Sequence, residues 1–166
     1  MFAYYAQNCF WLLIPILLMN LLLMGKLPRM YQPEAFSKEI PRWIVWGENA
    51  LRTVIFVLPL FMPLRIVRTG QMTGFAIYLA GAVVYFLSWG MQIWFPLSAW
   101  SRSRLGFMAP GFTPLLWLIG LALVGDSFYF SLPHSSWIFA GLSTAFLIFH
   151  NLHSWIVYSR NSEFQP

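Results

Sequence analysis

The chain has 166 residues, of which 59% are hydrophobic and 9% charged, with nine Trp, seven Tyr, sixteen Phe and a net charge of +5. An ordinary soluble domain carries about 25% charged residues, so the composition excludes that class and reads as an all-α polytopic membrane protein, one transmembrane domain over residues 1–166. A single cysteine, Cys9, excludes an intrachain disulfide and a CxxC metal or redox motif, and no basic run supports a nucleic-acid footprint.

No basic residue precedes Lys26, so the first apolar stretch lacks the charged start of a cleavable signal and reads as a retained span. Crossing the hydrocarbon core takes about 20 mainly apolar residues. Stretches 3–24, 43–64, 74–97, 112–132 and 136–158 meet this, which predicts a bundle of five transmembrane helices. Five crossings place Lys26, Arg29, Lys38, Arg42, Arg102, Arg104 and Arg160 on one side of the membrane and Arg65 and Arg68 on the other. Basic loops stay in the cytoplasm, so the N-terminus is expected outside and the C-terminus inside. A bacterial plasma membrane fits the short loops.

The connection 25–41 contains three prolines and is expected to hold a short interfacial helix near 34–40, with Phe36 and Ile40 facing lipid. Pro15, Pro59 and Pro63 should bend or loosen the first two spans. In the third span Gly74, Gly81 and Ser88 recur every seven positions, and in the fifth Ala140 with Thr144 and Gly141 with Ala145 form small-xxx-small pairs, two faces suited to close helix packing. Thr113 before Pro114 reads as the capped start of the fourth span. A turn around Pro133 and His134 makes the last two spans antiparallel neighbours, and 161–166 reads as a disordered polar tail.

Charged and polar side chains inside spans are costly and normally mark pockets or pairs in the bundle interior. Glu48 and Arg52 stand at i, i+4, and His150 and His153 at i, i+3, each pair on one helical face. Counted along the helices, Asn20, Glu48, Asn49, Arg52, Gln92, His150 and His153 fall at similar depth, in the inner third of the bilayer. These residues, with Trp46 and Trp89 and further ring cover from Trp43 and Trp94, predict a polar pocket under an aromatic roof. Asp126, near the outer end of the fourth span, is expected to pair with Arg65 or Arg68.

Three functions suit such a pocket. The first is binding or translocation of a small amphipathic or anionic ligand or a lipid, with Arg52 as the charge, Asn49 and Gln92 as orienting groups and the tryptophans as the apolar wall. The second is an intramembrane lipid-modifying enzyme using Glu48 or a histidine as base; its metal-dependent form would take His150, His153 and Glu48 as ligands. The third is an accessory subunit whose polar cluster braces helices, in a homo-oligomer or beside a partner membrane protein. No catalytic residue and no cofactor is assigned. In span number and tryptophan content the chain is similar in outline to the tryptophan-rich sensory proteins, translocators that bind porphyrins and sterols. None of that family's motifs is present, so the likeness transfers no residue.

Overall fold

The computed structural model describes residues 5–130 and 135–160, and among them the protein is all-α, with no β-strand. Helix α1 is Phe10–Leu23, prolonged by a 3-10 turn Met24–Lys26; α2 is the single turn Pro33–Phe36; α3 is Arg42–Val57, prolonged by a 3-10 turn Leu58–Phe61. Helix α4 is Thr69–Trp94, α5 Ala99–Arg102, α6 Arg104–Phe112, α7 Pro114–Val124 and α8 Ser135–Arg160.

Three helical stretches, Arg42–Phe61, Thr69–Trp94 and Arg104–Val124, are long and apolar enough to cross a membrane, the mark of an integral membrane protein. Phe10–Lys26 is a shorter apolar helix. Helix α8 matches α4 in length at 26 residues, but His150, Asn151 and His153 interrupt its apolar run. The expected tail at 161–166 and the turn at Pro133 and His134 lie outside the described residues.

Pro59 accounts for where α3 ends, whereas Pro15 and Pro110 lie inside α1 and α6. Pro59 lacks an N–H to continue α3, and the chain tightens into the 3-10 turn before leaving the helix at Met62. The released segment finds new main-chain partners: Cys9 N–H donates to Met62 O at 2.8 Å and Leu64 N–H to Gln7 O at 2.9 Å, so the start of α1 closes over the end of α3.

Thr113 does not start the fourth span. Its backbone is helical (φ −60°, ψ −27°), its hydroxyl donates back to Ala109 O at 2.7 Å, and α6 runs through it into α7. The start lies upstream, where the Ser103 hydroxyl accepts from Gly106 N–H at 3.0 Å as an N-cap. The stretch is therefore displaced from 112–132 to Arg104–Val124.

The first connection also departs from expectation. Its helix stops at Phe36, and Glu39 sits in the left-handed region at φ 56°, which no helix accommodates. Ile40 is buried at 9% exposure, against Ile44, Phe107 and Val157 and not against lipid.

The main core joins Leu13 and Ile16 of α1, Ile55 of α3, Tyr78 and Tyr85 of α4, Leu118 and Leu121 of α7 and Phe139 of α8. Helices α4 and α7 pack backbone to backbone, and the glycines of the seven-residue stripe make this approach. A Cβ on Gly74 would stand 2.9 Å from Gly120 O, one on Gly81 would meet the backbone of Leu116 and Trp117, and one on Gly120 would stand 2.6 Å from Tyr78 Cα. Gly141 of α8 does not serve in this way: a Cβ there would meet nothing within 4 Å. Asp126 pairs with Arg68 at 3.1 Å, as one of its two expected partners.

Candidate functional site

On α3 the buried positions are Ile44, Glu48 and Ile55, a helical stripe in which a carboxylate takes the place of an apolar residue. Glu48 is 2% exposed. Helix α8 packs along this face, with the Phe149 ring against Gly47, and the close approach brings both histidines onto the carboxylate. Glu48 Oε1 accepts from the Arg52 guanidinium and faces His150 Nδ1 at 2.9 Å; Oε2 faces His153 Nδ1 at 2.6 Å. Leaving a buried carboxylate alone costs several kcal/mol, and these three groups offset that cost.

The surrounding contacts hold the ring planes. The His150 ring stacks on Phe146 with centroids 5.5 Å apart, and the Arg52 guanidinium carbon lies 5.8 Å from the same ring, within cation–π range. His153 has a second partner: its Nε2 lies 3.0 Å from Phe36 O, and its ring lies 4.3 Å from the Phe36 ring. The turn that carries Phe36 is tied once more, by the Arg160 guanidinium donating to Ala35 O, and just before it Tyr31 Oη donates to Phe107 O at 2.8 Å. Burial pushes the Tyr31 hydroxyl up from its ordinary value, so it stays a donor.

Beside this cluster lies a cavity of about 340 Å³, within the range of small-molecule sites. Its walls are mainly apolar, from residues such as Ile16, Ile55, Trp117 and Phe146, and its polar groups are Arg52, His150, Asn20 and Tyr85. Tyr85 Oη donates to Asn20 Oδ1 at 2.8 Å, so these two largely satisfy each other, whereas the Arg52 side chain remains 41% exposed. A smaller cavity of about 190 Å³ lies under Tyr31 and Phe36 and shares Leu27, Trp89, Pro110 and His150 with the first.

Of the residues singled out in the sequence, Glu48, Arg52, His150 and His153 come together, and Trp89 lines both cavities. Asn49 is at the margin: exposed, it accepts from Arg52 Nη1 at 3.4 Å. Gln92 does not join, because it is buried on another face of α4, where its amide donates to Gly106 O at 2.7 Å. The expected roof is absent: Trp46, Trp43 and Trp94 are 75%, 60% and 63% exposed, on the outward faces of their helices. Phe36, expected to face lipid, packs instead on Tyr31 and His153 and holds His153 through its carbonyl, a role without a signal in the sequence, whereas the i−4 spacing of Phe146 from His150 offered one.

Glu48, His150 and His153 do meet, but as a hydrogen-bonded set and not as metal ligands. Both Nδ1 atoms lie against carboxylate oxygens, and among the described residues no group of three His, Cys, Asp or Glu is arranged to hold a metal ion. Both carboxylate oxygens already have partners, Arg52 and His150 at Oε1 and His153 at Oε2. Gln92→Ala is expected to leave the Gly106 carbonyl without its donor and to cost about 1–2 kcal/mol in thermal unfolding of the purified protein.

Neither a protein-family model, nor a curated protein, nor a solved structure matches this chain.

Proposed function

We propose that the protein crosses the membrane five times, with its N-terminus outside and its C-terminus in the cytoplasm of a bacterial plasma membrane, and that its cavity binds an amphipathic molecule with an anionic head. The observation that carries this reading is the lining of the cavity: Arg52 and His150 stand among walls that are otherwise mainly apolar. Arg52 and His150 take the head, and Ile16, Ile55, Trp117 and Phe146 take the hydrocarbon body. The basic residues on either side of the five stretches support the orientation, and α1 and α8 supply the two crossings beyond the three helices that are both long and apolar enough. A C-terminal reporter found outside the cell would overturn that topology.

Binding is tested by quenching of tryptophan fluorescence with brominated stearate, since Trp89 and Trp117 line the cavity. Loss of a charge-assisted hydrogen bond costs about 1.5–3 kcal/mol, so Arg52→Ala is expected to weaken the saturable phase about tenfold or more. A neutral brominated monoacylglycerol is expected to show no saturable phase. Equal quenching by both probes, unaffected by Arg52→Ala, would exclude the anion site. If Arg52→Ala and Arg52→Lys both fail to yield folded protein, the cluster belongs to folding and the accessory-subunit reading takes its place.

A further inference from the structure

His153 presents a proton-counting problem. Its Nδ1 lies 2.6 Å from Glu48 Oε2 and its Nε2 lies 3.0 Å from Phe36 O. A main-chain carbonyl only accepts, so Nε2 carries a hydrogen. A neutral ring would then present a lone pair at Nδ1, and an ionised carboxylate presents only lone pairs as well. Two acceptors do not approach to 2.6 Å in a site where His153 is 4% and Glu48 2% exposed. A hydrogen therefore lies between Nδ1 and Oε2, either as imidazolium with carboxylate or as neutral imidazole with carboxylic acid. Either form leaves at least one net positive charge over Glu48, Arg52, His150 and His153, the sign an anionic head needs.

We infer that Glu48 and His153 form a binding site for one exchangeable proton, and that this proton latches the turn Pro33–Phe36 of the first connection against α8. When it leaves, the remaining ring hydrogen goes to Nδ1, where the carboxylate is the stronger acceptor. Nε2 then turns a lone pair on Phe36 O, and the turn loses this tie and is loosened, held by Arg160 on Ala35 O. The groups that face the pair are Arg52 and Asn49 from α3, His150 from α8 and the Phe36 carbonyl from the first connection, with Arg160 tying the adjacent Ala35 O. Leu27, Pro33 and Phe36 border the two cavities, so the latch controls access to them. That last consequence rests on the cavity reading above, whereas the proton site does not.

Two measurements test it without any ligand. In the purified protein at neutral pH, nitrogen-15 spectra of labelled histidine are expected to show one ring with both nitrogens protonated, or infrared spectra a protonated carboxyl, and Glu48→Gln removes either signal. All three histidine rings singly protonated, with every carboxyl ionised, would overturn the site, a result the wild-type protein gives even if Glu48→Gln does not fold. For the latch, Ala35→Cys in a Cys9→Ala background is labelled with a soluble maleimide, relative to Lys38→Cys in the same background. The relative rate is expected to rise several-fold as pH is raised from neutral into the alkaline range, and to be fast and independent of pH in His153→Phe. A rate that neither pH nor His153→Phe changes would sink the latch.

Discussion

Glu48→Ala is expected to destabilise the protein by about 3–5 kcal/mol, the cost of leaving a buried charge set without its counter-charge. The carboxylate takes one guanidinium and two imidazoles, and removing it strands all three on the α3–α8 face. Glu48→Gln should cost less, because its side-chain carbonyl still accepts from Arg52. Replacing the whole set with leucines is expected to restore much of the stability, since apolar substitution of a buried ion cluster is often neutral or stabilising. Thermal unfolding in detergent measures each variant. A Glu48→Ala protein within about 0.5 kcal/mol of wild type would mean that the carboxylate is not the hub that its geometry describes.

Gly120→Val is expected to prevent the bundle from assembling, or to cost about 3 kcal/mol or more where it still forms. The reason lies in the neighbouring atoms: a Cβ there would meet Tyr78 N and stand 2.6 Å from both Gly74 O and Tyr78 Cα, and backbone in the middle of a 26-residue helix cannot step aside as a side chain does. Gly141→Val makes the control, because nothing lies within 4 Å of its Cβ. It should stay within about 0.5 kcal/mol of wild type. Size-exclusion profiles and unfolding curves of the two variants separate them, and similar behaviour would mean that α4 and α7 are not held by close backbone contact.

The parts of the site visible in the sequence are those that depend on helical periodicity alone. Glu48 and Arg52 at i, i+4, and His150 and His153 at i, i+3, had to share a face whatever the fold, and a buried carboxylate had to find cationic or donor groups. The glycine stripe of α4 was equally visible, as a repeat of seven. Depth along a helix was legible too, but depth is one coordinate of two. Gln92 and Trp46 share the level of Glu48 yet point elsewhere, because the direction a helix presents to its neighbours is set by which helices pack on it and at what angle.

By itself, then, the amino-acid sequence determined that the chain is helical and apolar enough for a membrane and that the second apolar stretch carries a charged pair on one face. Only the tertiary structure decided that α8 brings two histidines onto that carboxylate, that a cavity opens beside Arg52, and that the carbonyl of Phe36 meets the far side of His153. The physical reason is that a main-chain carbonyl is the same at every residue and a cavity belongs to no residue, so neither leaves a mark in the pattern of side chains.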